Sequence, residues 1–349
     1  MIAYLDHAAT SPLRPEVRAA MDEVHDRRLG NPSGAHALAR AARRVLDDAR
    51  ESLAASVGCR PGEIVFTSGG TEADNLAVLG FDGPVACRAT EHHAVLDAVR
   101  AAGGVVVGAD EPLPGTGLAS VMAVNNETGV VSSLDDIDAE VLHTDAVQAL
   151  RWLDLPTFAA RADLVSVTAH KVGGPVGIGA LVVRDRVAAR VRARQLGGGQ
   201  ERERRAGTVD VAGAVGLARA AELAVAERTD TCARASRQRV RLVAGLSLPV
   251  TAGDRDRVPG ILHVCVEGVD SEALLFLLDD AGVCASAAAS CASGAQQSSH
   301  VLAALGVDPA LARGSLRLSI APDTSDAEID HALAVIPAAI ARLRDKVRA

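Results

Sequence analysis

Apolar residues recur along the chain with two different periods. Leu38, Ala42, Val45, Ala49 and Leu53 fall three or four apart, the spacing that gathers side chains on one face of a helix. Short alternating or apolar runs at 63–67, 120–124, 141–144 and 164–168 read instead as strands, and 177–183 reads as another. The two patterns alternate to about residue 225, which predicts an α/β domain with a mostly parallel sheet. An Ala/Arg-rich helical region follows at 211–245, and 249–258 reads as a hinge into a smaller α+β domain. The expected division is therefore 14–248 for the large domain, and 1–13 with 249–349 for the small one. Between 285 and 299 the chain is nearly all Ala, Ser, Gly and Gln around Cys291; lacking apolar anchors, this segment is expected to be a mobile loop.

Composition narrows the class. With 349 residues, 48% of them hydrophobic, the chain can bury roughly 75% of its unfolded surface, so a core needs neither disulfides nor metal. A net charge of -8 argues against direct nucleic-acid binding. Apolar stretches such as 274–278 are far short of the ~20 residues of a spanning helix, and no charged-then-apolar leader precedes Tyr4-Leu5-Asp6, so a cytoplasmic protein without membrane contact is expected. The six cysteines form no Cys-x-x-Cys pair, which signals neither a disulfide framework nor a zinc site. Cys87 and Cys265 sit in apolar runs and read as buried, inert thiols.

Of 36 Lys plus Arg, only Lys171 and Lys346 are lysines. A lysine kept where arginine serves everywhere else suggests amine chemistry, because lysine can lose its proton and form a Schiff base whereas arginine cannot. Lys171 follows the strand at 164–168 and precedes Gly173-Gly174-Pro175, the setting of an active-site loop; a plain loop lysine stays open. Ser68-Gly69-Gly70-Thr71-Glu72 lies between a strand and a helical stretch, as in a phosphate cup, or as in an ordinary connection. Asp145 ends the strand at 141–144, either as a surface carboxylate or as the partner of a cation. His92 and Arg317 admit structural readings equally well.

Together these segments resemble one family along nearly the whole chain. They are Tyr4-Leu5-Asp6-His7-Ala8-Ala9-Thr10, Asn31-Pro32-Ser33, Thr67-Ser68-Gly69-Gly70-Thr71-Glu72, Thr90-Glu91-His92 and Val124-Asn125-Asn126-Glu127-Thr128-Gly129. The Asp145 to Gln148 turn, Thr168-Ala169-His170-Lys171, Gly197-Gly198-Gly199-Gln200-Glu201, Arg205-Ala206-Gly207-Thr208, Ser290-Cys291 and Ser315-Leu316-Arg317 complete the set. The chain resembles the cysteine desulfurases of the class V aminotransferase group. That resemblance implies the type I pyridoxal phosphate fold, a large domain with a seven-stranded-type, mostly parallel sheet flanked by helices plus a smaller α+β domain.

The resemblance also implies roles. Lys171 would carry the pyridoxal 5'-phosphate, Asp145 would face its ring nitrogen, Gln148 and Asn126 would lie near the ring hydroxyl and substrate, and His92 would be a catalytic residue stacked on the ring. Gly70, Thr71, Thr168 and His170 would hold the phosphate, and Thr208 would reach the phosphate of a neighbouring subunit in a homodimer. Arg317 would bind the substrate carboxylate. L-cysteine would become L-alanine, leaving a persulfide on Cys291 for a sulfur-acceptor protein, with iron–sulfur cluster biosynthesis among the destinations. Where relatives often carry Ser-Gly-His-Lys, this chain has Thr168-Ala169-His170-Lys171, which keeps the hydroxyl. Alternatives are a selenocysteine lyase or another carbon–sulfur lyase, a silent scaffold and a plain aminotransferase; Cys291 favours the desulfurase. Cys284 reads as a structural thiol or as a resolving one.

Overall fold

The computed structural model describes residues 1–115, 117–288 and 299–348. The strands in chain order are β1 (Ala3–Tyr4), β2 (Ile64–Thr67), β3 (Val85–Arg88), β4 (Val105–Val107), β5 (Leu118–Ser120), β6 (Val141–Asp145), β7 (Leu164–Thr168), β8 (Gly179–Val183), β9 (Ile261–Cys265), β10 (Val283–Cys284) and β11 (Ser315–Ser319). Two compact units emerge. A sheet unit comprises Ser11–Ala123 and Ser132–Arg228, and a terminal unit comprises Met1–Thr10, Val124–Val131 and Thr229–Ala349.

In the sheet unit the described residues form a seven-stranded sheet of order β2-β8-β7-β6-β5-β3-β4. Strand β8 runs antiparallel to both its neighbours and the remaining pairings are parallel. This is the mostly parallel sheet that the alternating pattern predicts. β7 and β8 are buried at every position, as expected of strands covered on both faces. Val65, Val95, Leu118, Val141, Leu164 and Leu181 belong to one core cluster with residues of α3 (Gly70–Gly80) and α4 (His93–Ala101).

Three local expectations shift. The helix α2 (Ala37–Val57) buries Ala39, Ala42, Leu46, Ala49 and Leu53, whereas Leu38 is 49% exposed. Residues 38 and 39 both fit the 3.6 period, and packing against the helix Val211–Ala226 selects the second. The strand expected at 120–124 is instead Leu118–Ser120; beyond it the backbone keeps single bonds to β6, from Val121 N–H to His143 O at 3.0 Å and from Ala123 N–H to Asp145 O at 2.8 Å. The helical region at 211–245 is two helices, Val211–Ala226 and Arg228–Leu246.

The terminal unit pairs β9 with β11 antiparallel and β1 with β10 parallel. Asp270 caps the helix Ser271–Asp280 by accepting the N–H groups of Glu272 and Ala273, and that helix packs on Asp326–Arg348. Among the described residues, no helix is long and apolar enough to cross a membrane.

Candidate active site

The β2–α3 turn is built around glycine. Gly69 has φ 155° and ψ -177°, a conformation that essentially only glycine adopts, and a Cβ placed there would meet nothing within 4 Å. The turn can lie this close to the sheet because Gly179 on β8 also lacks a side chain; its Cβ would stand 2.7 Å from Gly69 C. The helix α3 then starts with no side-chain cap on the N–H groups of its first turn, which has the positive end of the helix dipole behind it. Glu72 is turned away into a pair with Arg205 at 2.9 Å and accepts Ser68 N–H at 2.7 Å. Such an uncapped helix start after a glycine turn has the chemistry to receive an anion.

The ends of β3, β6 and β7 bring further groups to the same edge of the sheet, the carboxyl ends of its parallel strands. Asp145, the last residue of β6, is 5% exposed, and its Oδ1 accepts Val147 N–H at 2.9 Å. Burial raises its pKa above the ordinary carboxylate value, while His92, the Val147 N–H and the Lys171 charge oppose that rise. His92 caps α4, its Nδ1 accepting Ala94 N–H at 3.1 Å, which places the ring proton on Nε2. Thr168 ends β7 with its hydroxyl donating to Ile178 O at 3.2 Å. His170 is pushed down to about 4 by burial and by Lys171, so its imidazole is neutral at pH 7. The Lys171 backbone is fixed by Arg151 Nη2 at 2.9 Å on its carbonyl. Gln148 is buried in the turn after β6. Thr208 is exposed and lines a cavity of about 510 Å³ with Asn31, Arg50 and Glu201.

In the terminal unit, Arg317 on β11 is 4% exposed. Its Nη1 donates to Asn126 O at 2.8 Å and its Nη2 to Asp6 Oδ1 at 2.7 Å, while Nε is buried without a hydrogen bond among the described residues. A buried guanidinium with an unused donor suits a planar carboxylate. Cys284 is half-buried and its thiol is raised by burial, then by Asp279 and Asp6, which keeps it protonated and fits the structural reading. Cys87 and Cys265 are buried in strands as expected. Cys291 and the middle of the loop expected at 285–299, residues 289–298, lie outside the described residues; at its ends Ser286 pairs with the Arg317 backbone, and Ser299 is buried, donating to Glu127 at 2.5 Å.

Three features escape the sequence. Asp6 is the ion-pair partner of Arg317. Arg50 and Glu201 form a buried pair at 2.6 Å, and Glu201 also accepts Phe66 N–H, holding a loop in which Glu201, Arg202 and Glu203 all have positive φ. Asp74, Glu91 and His143 form a buried polar patch beside Asp145. The one available signal was polar residues inside strand and helix patterns, at His143 and Asp74.

A phosphorylated pyridine aldehyde fits the sheet unit's groups: an anion-receiving helix start, a buried carboxylate for a protonated ring nitrogen and an amine. The sequence model of the aminotransferase class-V family matches residues 3–108 and 110–332. An IscS-like cysteine desulfurase of Mycobacterium tuberculosis is 40% identical over 98% of this chain and 97% of its own length. A cysteine desulfurase IscS of Anaeromyxobacter dehalogenans is 38% identical over 98% of this chain and 93% of its own. The X-ray structure of a NifS-like protein from Rickettsia africae superposes with a TM-score of 0.88 at 25% identity, covering 99% of this chain and all of that one. The chain belongs to the class-V aminotransferase family and, within it, to the cysteine desulfurases, which depend on pyridoxal phosphate.

Proposed function

We propose that this protein converts L-cysteine to L-alanine and leaves the sulfur as a persulfide on Cys291, acting in the cytoplasm as a homodimer. The observation that carries the reading is the convergence of Lys171, His92, Asp145 and the open Gly69 turn at the carboxyl ends of β2, β3, β6 and β7.

Bound pyridoxal phosphate supplies an electron sink for the charge that develops when the substrate loses its α-proton. Lys171 would hold the cofactor through its amine, and the same amine, when free, is the group to take the substrate's α-proton. Asp145 would face the ring nitrogen as a carboxylate, and His92 would pack beside the ring. Gly70 and Thr71 would hold the phosphate with their N–H groups, Thr168 and His170 with their side chains; Gln148 and Asn126 would serve the ring hydroxyl and substrate. Arg317 takes the substrate carboxylate in a two-pronged pair that lysine cannot reproduce. The Cys291 thiolate attacks the substrate sulfur: an S–S bond forms as the Cβ–S bond breaks, the bonding pair passes to Cβ, which takes a proton, and the proton held by Lys171 returns to Cα to complete L-alanine.

Thr208 reaches the phosphate of the partner subunit; the exposed apolar side chains of Val176 and Leu196 support the dimer, which sedimentation velocity tests. The persulfide passes to a sulfur-acceptor protein, with iron–sulfur cluster assembly one destination beside tRNA thiolation, thiolated cofactors and DNA modification.

The deciding experiment measures alanine and sulfide released from L-cysteine with a thiol reductant. Equal amounts are expected from the wild type, and neither from Cys291→Ala, whose visible cofactor absorbance persists. Turnover by that variant would remove Cys291 as the nucleophile and leave a carbon–sulfur lyase.

A further inference from the structure

The sheet face that carries Asp145 carries a chain of polar groups behind it. Strand register sets Ser120 opposite His143 and Ser166 opposite Asp145, all on one face. His143 is fully buried between two hydroxyls, with Nδ1 2.8 Å from Ser120 Oγ and Nε2 3.0 Å from Ser166 Oγ. Asp74, on the buried side of α3, is 1% exposed; its Oδ1 stands 3.6 Å from His143 Nε2, the nitrogen that contacts Ser166, and is buried without a hydrogen bond among the described residues. Glu91 closes the patch, 1% exposed, accepting Met122 N–H at 2.8 Å.

Three carboxyls in one solvent-free patch repel one another and cannot all ionise. Asp145 has the strongest claim on a charge, because it accepts a backbone N–H and faces His92 and Lys171. Arg88 faces Glu91. Asp74 is surrounded by Asp145 and Glu91, which repel a charge there, and by the neutral groups of Ser166 and His143. Burial and those two carboxyls hold its pKa well above the ordinary value, and burial drives His143 down to about 3, so the imidazole cannot compensate.

We propose that Asp74 is a positioning residue: as a neutral carboxylic acid it donates to Ser166, which confines the negative charge of the patch to Asp145, where the ring nitrogen requires it. The inference rests on the reading of Asp145 given above. It has a consequence for proton order. If Asp74 donates to Ser166, Ser166 donates to Nε2 of His143, and Nδ1 of His143 carries the proton and donates to Ser120. An ionised Asp74 reverses every bond and puts the proton on Nε2.

Nitrogen-15 NMR of histidine-labelled apoprotein near pH 7.5, with His143→Gln to assign the signal, reads this directly and needs neither cofactor nor turnover. The Nδ1–H form is expected; the Nε2–H form overturns the proposal. In the loaded enzyme the pH midpoint of the visible cofactor band is the second readout. Asp74→Asn, a neutral near-isostere, is expected to leave it in place, while Ser166→Ala moves it by about one pH unit. A midpoint moved by Asp74→Asn, or unmoved by Ser166→Ala, overturns the positioning role. Asp145→Asn serves as the control: if it fails to move the midpoint, the reading of Asp145 is wrong, whatever the His143 tautomer shows.

Discussion

At the scale of single residues, the chemistry depends on groups whose near neighbours in type cannot replace them. Lys171→Arg keeps the charge that opposes the rise in the Asp145 pKa but removes the nucleophilic amine and the proton acceptor. Turnover is expected to fall about 10²–10⁴-fold or more, the range for losing a positioned acid–base group. Borohydride reduction followed by peptide mass analysis should find the cofactor on the 171 peptide in wild type only; cofactor on another lysine would sink the assignment. Arg317→Lys makes the complementary case. Its guanidinium already spends donors on Asp6 and on the Asn126 carbonyl, so a single ammonium cannot keep both and bind a carboxylate in two places. The expected result is a KM for L-cysteine raised about 10–100-fold, the worth of a charged hydrogen bond, with unchanged cofactor binding. An unchanged KM would mean that the carboxylate is held elsewhere.

At the scale of elements, the β2–α3 turn is where a small change should separate binding from folding. A methyl group at Gly69 meets no atom, so Gly69→Ala is opposed by backbone conformation, about 1–3 kcal/mol, and by a Cβ entering the cup where an anion would sit. Titrating apoprotein with pyridoxal phosphate should show affinity lowered about tenfold or more, against a modest fall in the urea midpoint. Affinity that survives intact would place the phosphate away from this turn. The parallel strands around the turn were legible because their apolar runs carry their own period and length. Lys171 was legible from its rarity, and the glycine turn from its position between two patterns. What stayed hidden depends on contacts far apart in sequence. Leu38 and Ala39 compete for the same helical stripe, and the helix Val211–Ala226 decides between them. Glu201, Arg202 and Glu203 take positive φ without glycine because Arg50, from α2, and Phe66 N–H hold the Glu201 carboxylate. The Asp6 pair with Arg317 joins residues 311 positions apart, beyond the reach of any local pattern.

At the scale of the whole molecule, buried histidines make stability depend on pH in a direction that can be worked out. His263 on β9 is fully buried, with Nδ1 2.8 Å from Thr251 Oγ1 and Nε2 2.8 Å from Ser315 Oγ, tying β9 to β11 and to the chain before it. Burial, aided by Arg317, drives its pKa from 6.5 down to about 3. The unfolded chain therefore binds a proton on this residue that the folded chain refuses. Its contribution to stability is fully present above about 6.5 and is lost progressively as the pH falls toward about 3, with a slope of up to ~1.4 kcal/mol per pH unit for one proton. Replacing it with glutamine removes that proton from both states. His263→Gln should be less stable than wild type at pH 7.5, where a well-bonded imidazole has been lost, and the gap should narrow at pH 5.5 and again at 4.5. Urea unfolding of both proteins at the three values measures it, and the comparison cancels every titrating group that the two share. Parallel pH profiles would mean that the imidazole charges as readily in the folded protein as in the unfolded one, and that the hydroxyls of Thr251 and Ser315 bond the imidazolium instead of holding the ring neutral.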